Sequence, residues 1–293
     1  MNTIANLSRV VAGMWRVMRW NMTPVELAGF IEACIDMGVT SFDHADIYGD
    51  YAAESAFGAA LALQPSLRAR MQLITKAGIR AVSPARPGHR VKHYDSSALH
   101  LRESVERSLR ALRTEHVELF LLHRPDPLMD EDDLAREIEK LIGEGKIGAF
   151  GVSNFTAREF DALHACVPLA TNQIELSPFH SAPIENGALV AMKSAGITPM
   201  VWSPLGGGRL FDEKDDAAAR VRHALQHIQA QRALSSWVSV AYAWVLRLPS
   251  RPTVIAGTRR IEGMRDAVEA LDIDLTREEW FSVWEAARGR AVD

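Results

Sequence analysis

Eight short apolar runs alternate with helix-patterned segments from one end of this chain to the other, and that alternation limits the fold more than any other feature. The runs cover residues 8–15, 40–45, 71–78, 118–124, 149–155, 170–177, 198–205 and 252–257. Between them apolar residues recur at helical spacing. Leu27, Phe30, Ile31, Cys34 and Ile35 form one stripe, Ala98, Leu101, Val105, Leu109 and Leu112 another, and Leu134, Ile138, Leu141 and Ile142 a third. Thr23-Pro24-Val25-Glu26 reads as a capping box with proline in the first turn, and Gly38 and Gly145 as helix stops. Thr276 and Glu279 form a second box, with Leu275 and Trp280 as its hydrophobic staple. Eight strand–helix units in 293 residues predict an α/β (β/α)8 TIM barrel, one domain spanning 1–293. A doubly wound sheet is the competing topology. It expects a G-x-G-x-x-G turn after the first strand, where this chain has Gly13-Met-Trp-Arg16.

A net charge of -4 argues against nucleic acid as a partner. The N-terminal segment MNTIANLSRVVAGMW lacks a signal-peptide layout, and no apolar run approaches a membrane span. These features predict a cytoplasmic protein, a monomer or weak homo-oligomer. Cys34 and Cys166 are far apart and on apolar-periodic segments, so both are expected as buried thiols rather than metal or redox groups.

In a barrel enzyme, chemistry collects at the C-terminal ends of the strands. Polar residues occur there in number: Asp43, with Asp46 and Tyr48 beyond it, then Lys76, His123, Ser153, Asn154, Gln173, Trp202 and Ser203. Each has an ordinary reading alone, as a cap, a snorkelling lysine or a satisfied histidine. Asp, Tyr, Lys and His at one mouth share a chemical rationale. An ammonium beside a phenol stabilises phenolate, a carboxylate holds the ammonium, and an imidazole orients a carbonyl or relays a proton. The set is a proton donor for a carbonyl oxygen. His44 is expected to pack behind its strand and Asp46 to fix the turn presenting Tyr48.

D-x-A-x-x-Y-G at 43–49, with Glu54 and Gly58, then ITK, LLHRPDP, GVSNF, TNQIELSP and WSPLGGG, resembles the aldo-keto reductase family in order and spacing over nearly the whole chain. The resemblance implies an NAD(P)H-dependent oxidoreductase that reduces aldehydes or ketones to alcohols, of the carbonyl reductase or alcohol dehydrogenase type. Tyr48 is then the proton donor, Asp43 and Lys76 its tuning pair, and His123 the carbonyl-orienting group, with Trp15, Tyr48 and His123 facing substrate. Ser153, Asn154 and Gln173 match positions that bond the nicotinamide carboxamide, and Trp202 the aromatic that stacks on its ring. Ser203, Leu205, Gly206 and Gly207 match the pyrophosphate loop, which glycines suit because they let backbone N–H groups approach phosphate. Gly257, Thr258, Arg259 and Asp266 fall in the cofactor-binding segment after the last strand. NADPH is the expected cofactor and NADH the alternative, because the family often has arginine where this chain has Gly263 and asparagine where it has Ala267. Arg259 and Arg260 are the substitutes for the 2′-phosphate, or else solvated residues at a helix start. No metal is expected, since the first strand lacks the H-x-H of a metal-dependent barrel hydrolase. The other alternative is a cofactor-binding, redox-sensing regulatory subunit with little turnover. Trp15, Arg16, Trp20, Tyr51 and the basic loop 79–94 are expected around the mouth, the loop read as solvated more readily than as a lure for anions.

Overall fold

The structure, a computed structural model, describes residues 7–292. Residues 1–6, where the segment read for a signal layout begins, lie outside the described residues. Eight parallel strands close into a barrel in chain order: Val10–Gly13, Ser41–Asp43, Gln72–Ala77, Val117–Leu122, Ile147–Ser153, Asn172–Glu175, Met200–Trp202 and Thr253–Ala256. Closure is made by the first strand against the last, with Val10 opposite Val254 and Ala12 opposite Ala256. Each strand lies within one of the eight apolar runs to within two residues, and helices surround the ring.

The period-2 geometry of a strand divides the core in two. Val11, Ile74, Leu119, Leu121, Ala149, Ala170, Met200 and Ile255 form a small cluster, with Leu7 and Trp202 against it. The other cluster is much larger and takes the alternate residues, Val10, Ala12, Phe42, Leu73, Phe120, Phe150, Ile174 and Val201, together with the apolar stripes of the helices. The first is the plug inside the barrel; the second lies between strands and helices.

The expected helix signals are present. Pro24–Asp36 begins at a complete capping box of Thr23 and Glu26, and Arg277–Arg288 at one of Thr276 and Glu279. A third box, Thr156 with Glu159, starts Ala157–Cys166 and was not singled out from the sequence. Gly58 is needed where helices Ala53–Leu63 and Ala98–Leu112 meet, since a Cβ there would come 2.0 Å from the Ala111 carbonyl oxygen. The structure corrects the reading of Cys166, which is exposed at the end of its helix; Cys34 is buried, and burial pushes its thiol up to about 12. Residues 79–94 are largely exposed, as expected, but part of the segment is paired. Ile79–Arg80 pairs antiparallel with His93–Tyr94, and Ala81 N–H donates to the Tyr51 hydroxyl at 3.0 Å.

Candidate active site

The inward positions of the strands continue, at their C-terminal ends, as polar residues. Asp43 lies two beyond Ser41, Lys76 two beyond Ile74, and His123 two beyond Leu121. Ser153 lies two beyond Gly151, Gln173 two beyond Thr171, and Trp202 two beyond Met200. The barrel therefore brings six residues from six strands to its mouth because each keeps the inward facing of the residue two before it.

At its centre is a buried ion pair. Lys76 Nζ lies 2.7 Å from both Asp43 oxygens and donates to the His44 carbonyl at 2.8 Å, with the two side chains 1% and 4% exposed. Gln173 Nε2 donates to the same carboxylate at 2.8 Å. Burial pulls the Lys76 ammonium down and the adjoining Asp43 charge raises it. Lys76 Nζ is also 5.2 Å from the centre of the Tyr48 ring, and that ring meets His123 edge-on with centroids 5.9 Å apart.

Tyr48 is held above, not below, the ordinary phenol value. Burial is the main cause and the Asp43 charge the second. The lysine charge that would favour phenolate is already matched by a carboxylate in contact with it. His123 is held well below the usual imidazole value by burial and by the cations Lys76, Arg124 and Lys92, so the ring is neutral. Its Nδ1 is buried with no partner among the described residues.

Ser153, Asn154 and Trp202 form a chain on the far side. The Ser153 hydroxyl donates to the Gln173 carbonyl at 2.9 Å, Asn154 Nδ2 donates to Ser153 Oγ at 2.7 Å, and the Trp202 indole N–H donates to Asn154 Oδ1 at 3.1 Å. Asn154 and Ser203 both sit at positive φ, 61° and 54°, where asparagine is tolerated better than most residues. After Trp202 the chain turns through Gly206, Gly207 and Gly208, all at positive φ, and Arg16 donates to the Gly207 carbonyl at 2.7 Å. Leu205 packs on the core.

Beyond the last strand, a Cβ on Gly257 would meet nothing within 4 Å, whereas one on Gly263 would lie 3.0–3.1 Å from the Thr258 side chain. Thr258 therefore fills space that any side chain at 263 would need, a local reason for glycine there. Arg259 donates to the Trp20 carbonyl at 3.4 Å, and Arg260 is exposed beside Glu262. Asp266 receives a hydrogen bond from Ser236. Trp15 is 55% exposed with the Arg16 guanidinium 4.8 Å over its ring. Trp20 is not a mouth residue: it is buried against Phe30, edge-on at 5.4 Å.

His44 is fully buried, its ring edge-on to Phe57 at 4.5 Å, and burial pulls it down to about 3. The turn carrying Tyr48 is fixed by backbone, with Asp46 N–H donating to the Lys76 carbonyl and Tyr48 N–H to the Ala45 carbonyl. The Asp46 carboxyl adds a hydrogen bond from the Ile47 backbone in the same turn; its Oδ1 is buried without a partner, and burial with the nearby Glu54 charge raises it to about 8. Glu54 is itself buried, accepting from the Thr75 hydroxyl at 2.6 Å. An acid raised in the fold stabilises it by its proton, an effect complete below the ordinary carboxylate range and lost as pH rises through about 8. Asp46→Asn, which imitates the protonated acid, is expected to gain Tm relative to wild type as pH goes from 4 to 8. The expected final gap is on the order of 5 °C. A gap constant with pH would show that Asp46 is ionised in the fold.

Two residues near the reacting groups were not assigned from the sequence. Arg124 bears on both Tyr48 and His123, and the only signal for it was its place directly after His123. Asp126 accepts from Ser96 N–H at 2.9 Å and from the Ser96 hydroxyl at 2.8 Å, tying loop 94–97 to the end of the fourth strand.

Comparison with known proteins agrees with this geometry: a model of the Aldo/keto reductase family matches residues 9–288. The chain belongs to that family. Oxidoreductase YdhF of Escherichia coli is 46% identical over 287 residues, covering 97% of this chain and 95% of that one. A 6-dehydroglucose reductase of Agrobacterium fabrum is 40% identical, covering 98% and 96%. Among solved structures, the glycerol dehydrogenase of Gluconobacter oxydans superposes with TM-score 0.83 at 26% identity, covering 98% and 94%. An aldo-keto reductase of Klebsiella pneumoniae in complex with NADPH gives 0.76 at 26%, covering 94% and 89%. As a family member this chain is an oxidoreductase of carbonyl compounds. No described helix is long and apolar enough to cross a membrane.

Proposed function

We propose that the protein reduces aldehydes or ketones with NADPH, using Tyr48 as the proton donor. The observation that carries this reading is the joint placement of a protonated phenol, a neutral imidazole and a lysine–aspartate pair at the barrel mouth. The cofactor is supported by the relative solved with NADPH and by the fit of the site. Gly206–Gly208, all at positive φ, carry no Cβ to block close approach of a phosphate to the loop, Gly257 borders open space, and Trp202 is held by Asn154 with its ring half-buried. Ser153, Asn154 and Gln173 would hold the carboxamide, Trp202 the nicotinamide face, and Ser203, Leu205 and the glycines the pyrophosphate. Bound there, the dinucleotide supplies a hydride for the carbonyl carbon.

The chain's own residues do the rest. The Tyr48 hydroxyl donates its proton to the carbonyl oxygen as that oxygen becomes alkoxide, leaving a phenolate that solvent reprotonates. Lys76, with its Nζ 5.2 Å from the centre of the Tyr48 ring, offsets the phenolate charge, and Asp43 with Gln173 holds Lys76 in place. His123, neutral, orients the oxygen by a hydrogen bond instead of delivering a proton. Hydride and proton together convert carbonyl to alcohol.

Arg259 remains the residue for the 2′-phosphate: its weak bond to Trp20 leaves most of the guanidinium fork available, while Arg260 lies beside Glu262. Arg259→Ala is expected to raise the Kd for NADPH about tenfold and that for NADH about twofold or less, the size of one charged hydrogen bond. Equal effects on both cofactors would take Arg259 out of this role. The reading as a whole is tested by steady-state turnover of a panel of aldehydes and ketones with NADPH and NADH in parallel. The 6-dehydroglucose reductase and glycerol dehydrogenase relatives place polyhydroxylated carbonyls in that panel. Tight NADPH binding without turnover of any member would favour a cofactor-sensing role instead.

A further inference from the structure

A second cavity, of about 200 Å³, opens beside the turn that carries Tyr48 and outside the barrel mouth. Arg80, Arg86, Arg107, Tyr51 and two carboxyl residues, Asp46 and Glu103, are among its lining; Lys76, His123 and Trp202 are not. At ~30 Å³ per water it holds about six waters, room for a small polyatomic ion. The basic loop 79–94 builds one wall, and that wall is ordered. Arg86 N–H donates to the Ser83 carbonyl, and Ala85 N–H donates to the hydroxyl of buried Ser83 at 2.9 Å.

The lining charges are unequally matched. Arg80 is paired with Asp95 at 2.7 Å and donates from Nε to His89 Nε2 at 3.2 Å. With Nε2 accepting, His89 Nδ1–H donates to the Ala81 carbonyl, so that ring is neutral and satisfied. Arg107 donates to Ser104 at 2.7 Å and pairs at 3.4 Å with Glu103, a half-exposed carboxylate that borders the same cavity. Arg86 has no carboxylate partner among the described residues: its guanidinium lies 4.6 Å over the Tyr51 ring, and its side chain makes one long bond to the Ala85 carbonyl. Asp46, nine-tenths buried, lines the same space with Oδ1 unpartnered, yet makes no ion pair with Arg86 or Arg107. A guanidinium in no ion pair among the described residues and a buried carboxyl with one oxygen unpartnered thus border one cavity. The Tyr51 hydroxyl accepts from Ala81 N–H and keeps its own hydrogen to donate. Gly49, Asp50 and Tyr51 run consecutively at φ 57°, 58° and 66°, a strained passage for the last two that a bound group contacting Tyr51 would help to hold.

We propose that this cavity binds a small oxyanion, a phosphate or carboxylate group, with the Arg86 fork as its principal donor and Arg107, the Tyr51 hydroxyl and the Asp46 carboxyl around it. The planar guanidinium matches two oxygens of such a group. Burial keeps the Asp46 proton in place up to about pH 8, so that side chain donates as well and does not repel.

The test is calorimetric titration of NADP⁺-saturated protein at pH 7 with inorganic phosphate and, separately, with acetate. Saturating NADP⁺ keeps phosphate off the cofactor subsites. Heat of binding does not depend on turnover, and failure of the cofactor reading would show separately, in the NADP⁺ titration. One saturable site is expected, weakened on the order of tenfold or more by Arg86→Ala and less by Arg86→Lys, which keeps charge but loses the fork. Tighter phosphate would identify a free tetrahedral ion as the source, and acetate at least as tight a carboxylate; either order supports the site. Heats of dilution alone in the wild type, or Arg86→Ala binding phosphate as the wild type does, would overturn it.

Discussion

Tyr48→Phe is expected to lower kcat/KM for carbonyl reduction by ~10²–10⁴, the usual contribution of a positioned general acid. NADPH affinity should change by about twofold or less, because the ring and its edge-on contact with His123 remain. The size follows from the state of the groups. The phenol is kept protonated by burial and by the Asp43 charge, so the donor is loaded at neutral pH. His123 is neutral and short of a second proton, so it is a poor replacement. Stopped-flow single turnover with saturating NADPH separates the chemical step from cofactor release. A folded Tyr48→Phe enzyme with near-normal single-turnover rates would transfer the donor role away from Tyr48.

Lys76→Met is expected to damage both fold and catalysis, and a second substitution separates the two. Removing the ammonium leaves Asp43 ionised and buried, with Gln173 Nε2 as its remaining partner. Breaking a buried pair from one side costs ~3–5 kcal/mol, which for a chain of this size is a fall in Tm on the order of 10 °C. Asp43→Asn added to Lys76→Met removes the stranded charge and still accepts from Gln173. Much of the lost Tm should return, while kcat stays depressed because the phenolate formed at Tyr48 has no cation beside it. If activity returned along with stability, Lys76 would be a structural residue only. If Tm did not return, the stranded carboxylate would not be the cause of the loss.

The strands, and most of the residues proposed to act, were legible because each strand repeats every second residue. In 71–78, Ile74 and Lys76 share a face, and a lysine following an inward isoleucine has to point inward too. Chain order gave the topology, since a parallel barrel joins neighbours through helices. The sequence was less informative wherever the answer depended on which neighbour arrives from elsewhere. Trp20 looked like a mouth residue, but Phe30 from the first helix covers it. Cys166 looked buried from its helical spacing, yet it ends a helix whose last turn faces solvent. Asp46 looked like a turn-former, and it bonds the Ile47 backbone in that turn, but its other carboxyl oxygen is buried unpartnered against a cavity built by distant segments.

Periodicity and capping boxes pointed to the barrel, the spacing of polar strand ends to the set Asp43, Tyr48, Lys76 and His123, and the ordered motifs from D-x-A-x-x-Y-G to WSPLGGG to the family resemblance; all are local properties. The tertiary structure decided their protonation, because a pKa is set by burial and by charges from distant segments. Burial and then the Asp43 charge raise Tyr48; burial and then Lys76, Arg124 and Lys92 lower His123, so the ring stays neutral. It also decided that loop 79–94 is one wall of a cavity beside Tyr48. That placement depends on Tyr51, Arg107 and Asp46, three residues that no sequence window holds together.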